Sequence, residues 1–333
     1  MNNLNEYAYW MALAHAAIKT AVKNDILGWC HKEKKSVIDF FSLNEAEWNA
    51  TLGLDIKDID ALTRAKEQLP NNAFMAENLI SQGFSLIPSM SLEFPQTLKN
   101  NLKKNACPVL LYAKGNKALL NQPTAAVVGA RAAGEVSIDF TRKVSKKIAA
   151  DGKVVVSGFA KGVDREALDA AVNADGSSII VLPQGILTFS TGFKQYYKQI
   201  VEGKVLVVSA YPPKMPWSTW LAMDRNTLIY GMADEIYVAE SNNGGGTWSG
   251  VIEGLKRGRK IFIREPGADE KNANKALIEK GCIPIKIEDN IIELAKTIPP
   301  LQHVSEKKAK YSAKKKKDTE TLDLFGDGDG ENC

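Results

Sequence analysis

The sequence predicts an α/β fold, a Rossmann-like doubly wound and mostly parallel sheet, preceded by a small helical domain and followed by a disordered charged tail. Three observations carry that prediction. Short runs made almost wholly of valine, isoleucine and their neighbours recur between residues 109 and 287, with helical patterns filling most of the gaps. Such runs are buried on both faces, as strands are in a parallel sheet covered by helices. Glycine-containing loops directly follow several of the runs, at the strand ends where an open parallel sheet binds its ligands.

In chain order, residues 1–85 read as helical. Tyr9, Ala12, Leu13, Ala16, Ala17 and Thr20 share one face at helical spacing. Val37, Phe40, Phe41, Trp48 and Leu52 suggest further short helices, and Ile59, Leu62, Ala65, Lys66 and Leu69 another that Pro70 ends. No chemistry is assigned here. In 86–298 strands are expected at Val109–Tyr112, Ala125–Val128, Val154–Val156, Ile179–Leu182, Val205–Val208, Ile236–Val238, Ile261–Ile263 and Pro284–Ile287. The clearest intervening helix is 135–150, where Val136, Phe140, Val144 and Ile148 recur beside Arg142, Lys143, Lys146 and Lys147. The tail, 299–333, holds seven lysines and no acid in 307–317, then six acids and no base in 318–333. Charge blocks of that kind cannot bury a core.

Composition excludes several function classes. A 333-residue chain that is 44% hydrophobic and 25% charged can form a packed core, and its net charge of +4 makes charge placement more informative than charge total. Cys30, Cys107, Cys282 and Cys333 form no CxxC pair, which argues against a zinc knuckle or a disulfide framework and fits a reducing compartment. The first residues lack a signal-peptide pattern and no apolar run reaches membrane-spanning length, so a cytoplasmic protein with no membrane partner is expected. His15, His31 and His303 lie away from every glycine loop, which makes a histidine-centred triad improbable. No metal, cofactor or catalytic residue is assigned.

Three loops carry the candidate chemistry. The first is Gly129-Ala130-Arg131, running into the 135–150 helix. The second is Ser157-Gly158-Phe159-Ala160-Lys161-Gly162, before a helix over Arg165–Ala174. The third is Gly244-Gly245-Gly246-Thr247, before a helix through Leu255. Glycine at a strand end lets backbone N–H groups approach an anion, and each following helix is expected to present its positive N-terminus. Arg131 and Lys161 add charge, and Lys194, past the Ile179–Leu182 run, is assigned to the same phosphate-binding set. Asp164 is expected to cap the helix after the second loop. Trp217, Trp220 and Trp248 are expected to be partly buried core, with base stacking the alternative. The GxGxxG spacing of a dinucleotide site and the GxxxxGK[ST] pattern of an ATPase are both absent.

Across 93–267 the chain resembles the DNA-processing protein A (DprA/Smf) family. The residues that carry the resemblance are Phe94-Pro95, Cys107–Tyr112, VVGAR at 127–131, VVSGFAKGVD at 155–164, VLPQG at 181–185, SAYPP at 209–213, DRN at 224–226, the glycines at 244–246 and Pro266-Gly267. The resemblance implies a Rossmann-like domain that binds single-stranded DNA, forms a homodimer and hands DNA to a RecA-type recombinase, with a helical domain in front. It implies that Arg131 contacts a phosphate, that Gly158 to Asp164 form the second binding loop, and that Arg225 and Asn226 match the start of an RNR motif. Lys161 stands where the family usually has arginine, Thr227 replaces the second arginine of that motif, Leu168 stands for a common histidine, and Ser209-Ala210 for Ser-Glu. The family's C-terminal winged-helix-like domain is expected to be replaced by the charged tail.

Two other readings stay open. A similarity to the LOG phosphoribohydrolases, in Arg225 and the Gly244–Thr247 loop, would imply a nucleotide-binding or hydrolysing enzyme, although the first glutamate after the loop is Glu253. A DprA-like regulator or antitoxin in phage defence, with a toxin partner, is the other. Leu322-Asp323-Leu324-Phe325 resembles peptides that dock to the bacterial sliding clamp. Ile186, Leu187, Phe189 and Phe193 form an apolar loop that suits a dimer interface and a loop folded over its own core equally.

Overall fold

Seven parallel strands form the centre of the fold. The computed structural model describes residues 2–288 and 291–294. Six helices come first: α1 (Asn2–His15), α2 (Thr20–Lys32), α3 (Val37–Ser42), α4 (Glu45–Leu52), α5 (Ile56–Glu67) and α6 (Leu69–Ser81). Then follow β1 (Ser85–Pro88), α7 (Gln96–Ala106), β2 (Leu110–Gly115), β3 (Thr124–Val128), α8 (Glu135–Ala150), β4 (Val154–Ser157), α9 (Val163–Asn173) and β5 (Ser178–Val181). Next are α10 (Ser190–Gln195), α11 (Tyr197–Val201), β6 (Val205–Ser209), α12 (Thr219–Met232), β7 (Glu235–Val238) and α13 (Gly245–Lys256). The described chain closes with β8 (Ile261–Arg264), α14 (Asn274–Glu279), β9 (Ile283–Glu288) and β10 (Ile291–Leu294).

The strand order is β1-β2-β6-β5-β4-β3-β7-β8-β9-β10. Strands β6 to β9 of that order run parallel, while β1, β2 and β10 add antiparallel edges. From β3 the chain winds one way through β4 to β6, then returns to β7 on the other side. The order therefore reverses between β3 and β7, the place where the loops after neighbouring strands part and leave a crevice.

Alternation along the strands sorts two faces. Ala126, Val128, Val156, Val181 and Val208 pack with Leu98, Leu228 and Val251, so α7, α12 and α13 cover one face. Ala125, Val127 and Val155 meet Phe140, Val144 and Ala167 of α8 and α9 on the other. Farther along that second face, Ile180, Val205 and Val207 join Trp10, Leu13, Phe40 and Trp48 in one cluster, so the first helices pack directly on the sheet. A hydrogen bond of 3.0 Å between Tyr112 Oη and His15 Nε2 ties α1 to β2.

All eight expected strands are present. The four-residue edge strands β1 and β10 are additional; at β10, Ile291 and Leu294 are exposed and give no alternation to read. The face from Tyr9 to Thr20 is not one helix: α1 ends at His15, and Lys19 is extended at the start of α2. Pro70 does not stop a helix but sits in the first turn of α6, where its missing N–H has no partner to lose. Val136 is 63% exposed; Ser137, Thr141 and Ser145 accompany Phe140, Val144 and Ile148 on the buried face of α8. A four-residue step overshoots the 3.6-residue turn, so three steps carry Val136 off the stripe that Ile148 lies on. The tail from 299 onward, with Leu322–Phe325, lies outside the described residues.

Candidate functional site

The loop after β3 is fixed from β7. The Ala130 N–H donates to the Glu240 carbonyl at 2.9 Å. Glu240 Oε2 accepts from the Gly134 N–H at 3.1 Å and from Ser137 Oγ at 2.7 Å, which places a buried carboxylate on the first turn of α8. That charge offsets the positive end of the helix. The expectation that each loop leads into an unoccupied helix N-terminus is thus corrected at α8. Glu240 was not among the expected residues; its signal is an acid just past a strand, facing a helix that begins at Gly134 with no capping side chain of its own.

The second loop closes on two buried opposite charges that attract each other without forming a salt bridge. Asp164 and Arg225 are both almost fully buried. A Cβ at Gly158 would lie 2.3 Å from Arg225 Nη1 and 2.3 Å from Asp164 Oδ2, so only glycine admits the two side chains to the loop. Asp164 accepts backbone N–H bonds from Gly129 and Gly158, which joins the first loop to the second. It does not cap α9, whose N-cap is Gly162 with no side-chain hydrogen bond. Burial pushes its carboxyl up to about 6, while Arg225, those two N–H groups and Arg131 pull against the rise. Arg225 donates from Nη1 to the Val181 carbonyl at 2.6 Å, and its Nε has no partner. Burial lowers its pKa and Asp164 opposes that. Gly162 has φ +81°, and a Cβ there would lie 2.5 Å from the carbonyl oxygens of both Ala130 and Arg131, so the two loops touch backbone to backbone.

Above this pair opens a cleft of roughly 410 Å³. Arg131, Ala160 and Lys161 line it, with Leu182 and Gln184 from the loop after β5, and Trp217, Ala222 and Arg225 from the start of α12. Arg131 and Lys161 are exposed, and neither makes an ion pair or a side-chain hydrogen bond among the described residues. Three of the four cations of α8 differ: Arg142 pairs with Glu166 and Glu135, Lys143 with Asp139, and Lys147 with Asp151. Two cations that form no salt bridge among the described residues thus share one concave site.

The remaining expected residues are scattered. Ser157 is buried and its Oγ donates to the Val127 carbonyl at 2.6 Å. Lys194 is exposed on α10 and does not line the cleft. Gly244 and Gly245 have φ +87° and +81° with open space where a Cβ would be. Asn226 Nδ2 donates to the Gly246 carbonyl at 3.1 Å, which ties α12 to this third loop, and Thr247 follows in the first turn of α13. That turn contains no acid. Glu253 pairs with Arg257 at 2.9 Å and lines a separate small cavity beside Tyr230, away from the cleft of Arg225.

The tryptophans divide. Trp248 is partly buried against the core, as expected, but Trp217 is 50% exposed in the cleft and Trp220 is 69% exposed. Both follow the Pro212-Pro213 segment, while Leu221 and Ala222 of the first turn of α12 are buried. The apolar loop Ile186, Leu187, Phe189 and Phe193 folds over its own core, which removes it as a sign of a dimer. Among the described residues no group of three or more His, Cys, Asp or Glu could hold a metal ion. No helix among them is long and apolar enough to cross a membrane.

A parallel sheet of reversing order, with a cationic cleft at the carboxyl ends of its strands, defines a Rossmann-like fold. The family described as DNA recombination-mediator protein A matches residues 85–296, and the chain belongs to that family. It is similar to the DNA processing protein DprA of Streptococcus pneumoniae, 31% identical over 186 residues that cover 55% of this chain and 64% of the relative. Against DprA of Bacillus subtilis it is 27% identical over 218 residues, 64% of this chain and 71% of the relative. The match thus spans under two thirds of the pneumococcal relative's length. The X-ray structure of Streptococcus pneumoniae DprA superposes with a TM-score of 0.69 at 22% identity, over 84% of this chain and 94% of that one. A DprA structure from Helicobacter pylori, described for its single-stranded DNA binding mode, gives 0.52 at 23%, over 61% and 90%. At these identities the likeness establishes the fold.

Proposed function

We propose that this protein binds single-stranded DNA, with little sequence preference, as a non-enzymatic DNA-processing protein. The observation that carries the reading is the convergence of Arg131 and Lys161, neither in a salt bridge among the described residues, on one cleft above the buried charges of Asp164 and Arg225. Phosphates supply the charge those cations lack, and a cationic groove with an aromatic side chain is the arrangement that holds single strands. The single-stranded DNA binding mode of the Helicobacter pylori relative supports the choice of ligand. Arg131 and Lys161 contact phosphates in this reading; lysine contributes a point charge where arginine would add a planar fork. Ala160 brings backbone to the cleft, whereas Gly129, Ala130, Gly158 and Gly162 face inward and shape the loops that present Arg131 and Lys161. The third loop, Gly244–Thr247 with Asn226, offers a further N–H surface on α13. Arg225 acts from beneath by holding the loops. Membership of a recombination-mediator family supports passing the DNA to a recombinase.

Fluorescence anisotropy with a single strand and its matched duplex tests the reading. Tighter binding of the single strand is expected; equal or tighter binding of the duplex overturns it.

A further inference from the structure

We propose that Trp217 is the base-stacking platform of the cleft, so that a base lies on its indole while neighbouring phosphates meet Arg131 and Lys161. This rests on the reading of the cleft as a single-strand site and names the contact made with the bases. Three aromatic side chains line the cleft, and two are already engaged. The Phe159 ring carries the Arg165 guanidinium at 3.6 Å and meets Phe189 at a centroid distance of 4.7 Å, and Phe189 is buried. Trp217 is 50% exposed, and no ring stacking or cation contact covers its indole among the described residues.

Its position is fixed by backbone. The Met215 N–H donates to the Pro212 carbonyl at 2.8 Å, the Gly185 N–H to the Met215 carbonyl at 2.8 Å, and the Leu187 N–H to the Pro213 carbonyl at 2.9 Å. A Cβ at Gly185 would lie 2.2 Å from the Pro212 oxygen, so the loop after β5 and the segment before α12 are laminated together. Ser218 then caps α12 by accepting the Leu221 N–H at 3.2 Å. Trp217 is thereby held between two anchored stretches, and little order has to be imposed on it when a base arrives. Trp220 is more exposed but lies outside the cleft, next to Met223 on the outer face of α12. An indole stacks on any base, because every base has a π-face, so this contact adds affinity without sequence preference.

The test compares an oligothymidylate with an abasic strand of equal length and phosphate count, against wild type, Trp217→Ala, Trp217→Phe and Trp220→Ala. Wild type is expected to favour the thymidylate. Trp217→Ala should weaken thymidylate binding roughly 5- to 150-fold and leave abasic binding unchanged. Trp217→Phe should keep most of the preference, and Trp220→Ala all of it. Equal loss on both strands, an unchanged preference in Trp217→Ala, or loss of it in Trp220→Ala overturns the assignment of Trp217 alone. Failure of wild type to bind either strand overturns the reading of the cleft beneath it.

Discussion

Replacing Arg225 with methionine should destabilise the protein far more at pH 8 than at pH 5. The change removes a buried guanidinium and leaves Asp164 buried without the positive charge that faces it. Removing the opposing charge beside a buried, ionised carboxylate costs at most about 3–5 kcal/mol, the figure for a buried pair in direct contact. Asp164 has a way out of that cost. Its carboxyl already sits at about 6 rather than 3.8, a difference of roughly 3 kcal/mol against the ionised form. A raised folded-state pKa contributes stability that is complete below the unfolded pKa and is lost as pH rises through the folded one. Without Arg225, one of the influences holding the pKa down disappears, so the loss extends to higher pH. At pH 5 the carboxyl of the variant is protonated, and the remaining cost is the bond to the Val181 carbonyl and some packing, about 1–2 kcal/mol.

For a protein of this size, 1 kcal/mol moves Tm by about 1.5 °C, since the unfolding entropy scales with length. The expected fall is roughly 4–8 °C at pH 8 and 1–3 °C at pH 5, read by circular dichroism melts in matched buffers. The double variant Arg225→Met with Asp164→Asn buries no net charge and should recover part of the loss at pH 8. Equal falls at both pH values, with no recovery in the double variant, would refute the pairing of Asp164 with Arg225 as the lock beneath the cleft.

Gly162→Ala should cost about 1–3 kcal/mol and weaken single-strand binding, since the new methyl meets the Ala130 and Arg131 carbonyls at a φ of +81°; an unchanged urea midpoint would contradict the backbone contact. His15→Gln should flatten the acid side of the stability profile. Burial, with Lys23 nearby, lowers His15 to about 4, so its contribution is present above 6.5 and lost as pH falls from 6.5 to 4, up to about 3 kcal/mol. Urea titrations at pH 4.5 and 7.5 check this, and an unaltered difference between them would count against it. Gly158→Ala should fold poorly or release the Asp164–Arg225 pair, which refolding yield and Tm would report; a wild-type Tm would show that the loop has room.

The centre of the fold was legible because burial on both faces forces near-continuous Val and Ile, and because the periodicity of α8 is long. Its edges were not: β1 buries only Leu86 and Ile87, β10 exposes Ile291 and Leu294, and α6 follows α5 after a single residue, with Pro70 ambiguous between stopping one helix and starting the next. At the site, Arg131 and Lys161 could be brought together from sequence because both follow parallel strands. What sequence could not supply is the third dimension of the pair beneath them. Asp164 in the first turn of α9 has the residue type and place of a cap, and only the approach of Gly158 shows it facing Arg225 from α12. Trp217 was read as core because tryptophan usually is; its exposure depends on a Pro-rich segment laminated onto a distant loop.

The salt dependence of single-strand binding tests the central claim most directly. Each phosphate contact removed should lower the slope of log K against log salt by about 0.7 for a single strand. Arg131→Ala with Lys161→Ala should therefore lower it by about 1.4. Measured by anisotropy between low and physiological salt on a variant with a wild-type melt, that fall places phosphates in the cleft. A wild-type slope in the folded double variant would put the DNA elsewhere on the molecule.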